Sequence, residues 1–163
     1  MMKSIVYALF PLLLTGLVAC KSKSARDFSE KIVSVENSLI PDITKTENQV
    51  SKFFAEQNYD SAAIVSRRME DIIANKIEEV EKLEPPHVAE ADNFKKAFIK
   101  YFEYMKSIYT GYKLYAMQTN DEDRAAEWQK FLTLVKGKDD AIEDVQRAQA
   151  KFAKANGFRI ENK

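Results

Sequence analysis

One cysteine and one histidine in 163 residues leave redox and metal chemistry little to work with. Cys20 has no second cysteine to pair with, so no disulfide within the chain can staple the fold. His87 stands alone, whereas a di-iron helical bundle needs two Glu-x-x-His pairs. The one match to that spacing is Glu84-Pro85-Pro86-His87. Its two prolines deny the shared helical face that the chemistry requires. Glycine and proline are scarce, at four each, and no Gly-rich phosphate loop or G-x-S-x-G elbow occurs. Charge of neither sign prevails, with 25 basic and 25 acidic side chains. A nucleic-acid binder would need a basic face. The chain therefore reads as non-enzymatic, with no metal, no cofactor and no nucleic-acid partner.

What is present begins with a targeting pattern. Lys3 is followed by an apolar run from Ile5 to Val18. About fourteen residues fall short of the roughly 20 that a spanning helix needs, and fit a signal-peptide core instead. The run closes on Leu17-Val18-Ala19-Cys20, which resembles the bacterial lipobox. That resemblance implies cleavage before Cys20 and a lipid thioether on its sulfur. Two or more acyl chains anchor stably where one does so only marginally. Residues 1–19 are thus expected to be a signal peptide, and residues 20–26 a lipidated cysteine with a polar tether. The part after the cut loses only Lys3 among its charges, leaving a net of −1.

Residues 27–163 are rich in helix formers and long enough for one cored domain. Apolar residues recur at steps of three and four. The spacing predicts helices at about 27–55, 61–83, 87–118 and 121–155. Ser24 and Asp27 have capping-box spacing for the first, and Thr119 and Glu122 for the last. Pro41 lies inside the first stripe and predicts a kink near Asn37–Pro41, or a split into two helices. The inward stripe of the third helix runs through Phe94, Phe98, Phe102, Tyr109 and Tyr112, and that of the fourth through Trp128, Phe131, Leu132, Val135, Val145 and Phe152. Asn156-Gly157 signals a left-handed stop, after which Phe158 can fold back. Short junctions favour antiparallel neighbours. The expected fold is all-α, an elongated up-down-up-down four-helix bundle with its first helix kinked at Pro41.

Two surface features invite a functional reading. Glu78, Glu79, Glu81 and Glu84 form an acidic patch, but near-consecutive glutamates point to different sides of a helix. They read as a solvated face. Lys100, Tyr104, Gly111 and Tyr115 flank the third stripe and could form a shallow ledge for a sugar or peptide. The plainer account is that the tyrosine hydroxyls reach water while Gly111 admits a close neighbour.

With this layout, the chain resembles a family of small all-helical surface lipoproteins of spirochaetes and Bacteroidetes-type bacteria. The residues that carry the likeness are Phe28-Ser29-Glu30-Lys31-Ile32-Val33-Ser34, the aromatic helix around Tyr101 to Tyr112, and the closing segment Ala148 to Phe158. The resemblance implies location and fold, and supplies no catalytic residue. The resulting expectation is an envelope lipoprotein held in the membrane through lipid on Cys20. Its expected place is the outer membrane. Lys21-Ser22-Lys23-Ser24 lacks the acidic run that directs some lipoproteins to the surface, so the periplasmic and outer faces both stay open. The helical part would contact an envelope protein or the cell wall. The alternatives are a small-ligand binder for sugar or peptide, and an inhibitor or immunity-type lipoprotein.

Overall fold

The computed structural model describes residues 15–160, with side chains from residue 21 on. Most of the expected signal peptide and the side chain of Cys20 lie outside the described residues. Among the described residues every regular element is a helix: α1 Thr15–Ala55, α2 Tyr59–Glu81, α3 Ala91–Ala116, α4 Asp121–Lys136 and α5 Lys138–Asn156. They associate as a helical bundle around one apolar core. None of these helices is long and apolar enough to cross a membrane.

Burial follows the stripes. Phe28, Ile32, Val35 and Leu39 of α1 meet Met69, Ile73 and Val80 of α2, with Phe94, Phe98 and Phe102 of α3 and Phe152 of α5. Each fully buried side chain of this size contributes about 1.5–3 kcal/mol. Phe94 and Phe152 stack at 4.8 Å between ring centroids, and Phe28 meets both edge-on at 6.2 Å.

Several boundaries differ from expectation, each for a local reason. Helix α1 does not wait for Ser24. It already includes Cys20 and the segment expected to be a tether, and Ala25 is fully buried. It also runs unbroken through Pro41, so the split into two helices does not occur. Past its end at Ala55 the chain turns at the left-handed Gln57, and the Asn58 N–H reaches back to the Phe53 carbonyl at 2.8 Å. The Asn58 side chain then caps α2 by accepting from the Ser61 N–H at 3.2 Å.

Helix α3 starts at Ala91, not 87, because Pro85-Pro86-His87-Val88 stays a loop and Glu90 turns left-handed at φ 64°. Lys95 closes this loop by donating to the carbonyls of Glu81 and Leu83 at 2.7 and 2.8 Å. The cap of α4 is Asn120, whose side chain accepts from the Asp123 N–H at 2.8 Å. The expected Thr119–Glu122 box is displaced by one residue.

The expected fourth helix is two helices, α4 and α5, parted at Gly137. Helix α4 packs along α3, touches α5 near the joint, and meets α2 only at the first residue of α2, where Arg124 lies over the Tyr59 ring. A helix with one neighbour along most of its length buries a narrow strip. Phe131 is buried, while Trp128, Leu132 and Val135, expected inside, are each more than a third exposed. At the end of α5, Gly157 is left-handed at φ 69°, and the Phe158 N–H bonds the Ala153 carbonyl at 3.1 Å. The Phe158 ring then packs edge-on to Phe152, 5.6 Å between centroids.

Candidate functional site

The break at Gly137 opens the molecule. Where α4 ends and α5 begins, the two helices stand off from α3 and leave a cleft of about 630 Å³. Its floor is apolar: Ala97, Tyr101, Leu134 and Ala141, with the ring of Tyr104 beside Gly137. Its rim is charged, with Lys96 and Lys100 on the α3 wall and Asp140 and Asp144 on the α5 wall.

The tyrosine hydroxyl of Tyr104 holds the cleft's inner end. It donates to the Leu134 carbonyl at 3.0 Å, and the Gly137 N–H donates to the same oxygen at 3.0 Å. A carbonyl freed by the helix break thus fills both lone pairs. Burial, and then the nearby charge of Asp139, raise the pKa of Tyr104 above its ordinary value, which keeps it a donor. Tyr101 is raised too, by burial and then by Glu36 across the interface with α1. Burial likewise raises the Glu36 carboxyl. Across the rim, Lys100 Nζ meets Asp144 Oδ2 at 3.2 Å. Lys96 and Asp140 have no ion-pair or hydrogen-bond partner among the described residues.

The structure divides the four residues of the anticipated ledge. Lys100 and Tyr104 line the cleft. Gly111 and Tyr115 lie farther along α3, in a second aromatic cluster with Phe54, Tyr59, Trp128 and Phe131. A Cβ on Gly111 would stand 2.6 Å from the Phe131 ring, so this glycine is what lets α4 approach. Tyr115 meets Phe54 at 5.1 Å and Trp128 at 5.4 Å. Arg124 closes the cluster, stacked 3.9 Å over the Tyr59 ring. Asp140, Asp144 and Gly137 were not anticipated as part of a site. The signal available was the string Gly137-Lys138-Asp139-Asp140, a helix breaker followed by acids suited to a new helix start.

Elsewhere, two glutamates of the acidic patch are tied to lysines on their own helix or just past its end, Glu79 to Lys76 at 2.8 Å and Glu78 to Lys82 at 3.4 Å. Glu84 and His87 are exposed in the Pro-Pro loop. That loop forms a second, more polar hollow of about 530 Å³ with Lys21 and Asn156. Asn156 bridges it by donating to the Ala89 carbonyl at 2.9 Å. Among the described residues no group of three His, Cys, Asp or Glu side chains is placed to hold a metal ion. Compared with known protein families, curated proteins and solved structures, the chain matches none.

Proposed function

We propose that the chain is an envelope lipoprotein, cut before Cys20 and held at the outer membrane by lipid on that cysteine. Its helical part is a non-enzymatic module that contacts an envelope protein or the cell wall. One observation carries this reading. A basic residue and a short apolar run lead into Leu17-Val18-Ala19-Cys20, and a charge-rich helical body follows immediately. The first buried side chain described after the cysteine is Ala25, five residues on, so the attachment point sits close under the folded part.

Labelling cells with a radioactive fatty acid tests the anchor. The wild type should take up label, and Cys20→Ser should take up none and accumulate as uncut precursor. Equal label on both, or none on the wild type, would refute lipidation.

The bundle is proposed to run up-down-up-down, with α4 and α5 together as its fourth member and a bend in α1 at Pro41. Support for the bend is that α1 continues through a residue that cannot donate its backbone bond and crowds the turn before it. Spin labels at residues 26 and 52 should move apart in Pro41→Ala; an unchanged distance would mean a straight helix.

A second reading, a small-ligand binder, is favoured by the cleft at Gly137. Its volume lies within the roughly 300–1,000 Å³ of small-molecule sites, and it combines an apolar floor with a few polar groups.

A further inference from the structure

We infer that the cleft at Gly137 binds a short zwitterionic peptide, of about three residues, with an apolar side chain at its centre. The inference rests on the ligand-binding reading and names the ligand class.

Charges follow a fixed order along the cleft. Contacts between α3 and the α4–α5 pair descend along one as they rise along the other: Phe94 with Phe152, Lys100 with Asp144, Tyr104 with Leu134. Lys96 and Lys100 are one turn apart on α3, and Asp140 and Asp144 are one turn apart on α5. Because Lys100 faces Asp144, Lys96 lies a turn beyond that pair at one end of the cleft. Asp140 lies a turn beyond it at the other end. The middle is neutralised by the Lys100–Asp144 pair at 3.2 Å and floored by Ala97, Tyr101 and Ala141. The cleft therefore presents a cation, a neutral centre with an apolar floor, and an anion in sequence.

The spacing selects the ligand. Two turns of helix separate the end charges, about 12 Å along the axis at 1.5 Å per residue. An extended tripeptide spans about 10 Å, and its end groups extend it slightly. Its terminal carboxylate would sit at Lys96 and its ammonium at Asp140. Asp139, beside Tyr104, adds to the negative end. Neither Lys96 nor Asp140 must abandon a partner to receive the ligand. A neutral sugar would leave both end charges unused, and a simple anion or cation would meet one end favourably and the other unfavourably.

The test uses the full chain in detergent, followed by amide chemical shifts at Gly137 and Ala141. Three probes are titrated: the free tripeptide Ala-Leu-Ala, its N-acetylated and C-amidated form, and maltose. The free peptide should shift both amides saturably, and the blocked form should bind at least about tenfold more weakly. Lys96→Glu and Asp140→Lys should each weaken the free peptide by about tenfold, without changing the far-ultraviolet circular dichroism. The double variant should regain binding, because the peptide can enter reversed. Equal binding of the blocked peptide, or shifts at the same amides by maltose alone, would overturn the peptide assignment while keeping a ligand cleft. Saturable shifts from none of the three would overturn both.

Discussion

Glu70 shows what a single residue decides here. It lies on α2 with its side chain only 9% exposed, paired with Lys113 of α3, which is 24% exposed. Thr110 donates to its other oxygen. A carboxylate buried between two helices is tolerable only because both oxygens are engaged. Removing one partner strands the other charge. Glu70→Ala should cost about 2–4 kcal/mol in urea unfolding, the upper end being reached only if Lys113 cannot swing to water. The double replacement Glu70→Met with Lys113→Met should recover most of that loss, since apolar packing can match a buried pair. A double variant no more stable than Glu70→Ala would show that the pair does more than fill space. In sequence Glu70 looks like an ordinary surface charge. Its position one residue past Met69 and four past the buried Ser66 puts it on the edge of the inward stripe, but its partner is 43 residues away.

At the scale of the element, the break in the fourth helix shapes the site. Lys136 ends α4 and Asp139 and Asp140 begin α5, each suited to the helix dipole at its own end. Gly137 adopts φ −80° and ψ 3°, open to any residue, and a Cβ there would meet only the Leu134 carbonyl at 3.4 Å and the Tyr104 ring at 3.9 Å. The glycine is therefore present for its weak helix preference and not for want of room. Gly137→Ala should raise stability by about 0.5–1 kcal/mol. A thermal melt below that of the wild type would show that the break needs glycine for another reason. Gly111 is the opposite case, held to glycine by the Phe131 ring.

Across the whole molecule, a half-buried carboxylate and two tyrosines tie the far half of α1 to α3. Tyr112 Oη donates to Glu47 Oε2 at 3.2 Å. Burial first, then the charge and the hydrogen bond of Glu47, push the Tyr112 pKa up to about 12, and the same causes raise Tyr109 further. Unfolded tyrosines ionise near 10. Above that pH the unfolded chain binds fewer protons than the folded one, so stability falls as pH rises. It should be fully present below about pH 10 and decline from there through about pH 12. Urea midpoints measured from pH 8 to 11.5 check this, and Tyr112→Phe should flatten part of the decline. A midpoint independent of pH across that range would mean that the two tyrosines ionise freely in the fold.

Composition and periodicity alone determined the all-helical class, most of the buried stripe, the helix stop at Gly157 and the fold-back of Phe158. These depend on neighbours within a turn or two, where backbone geometry leaves few choices. The lipidation proposed at Cys20 likewise rests on a pattern read along the chain without any fold. Only the tertiary structure decided that α4 leans on α3 and leaves Trp128, Leu132 and Val135 exposed, since a stripe does not say how many helices will cover it. It also decided that Lys100 and Tyr104 part company with Gly111 and Tyr115. All four share the flank of one helix, but that helix meets the Gly137 break at one level and Phe131 at another. The cleft's ordered charges arise across helices some forty residues apart in sequence, and the packing of α5 on α3 sets which lysine faces which aspartate.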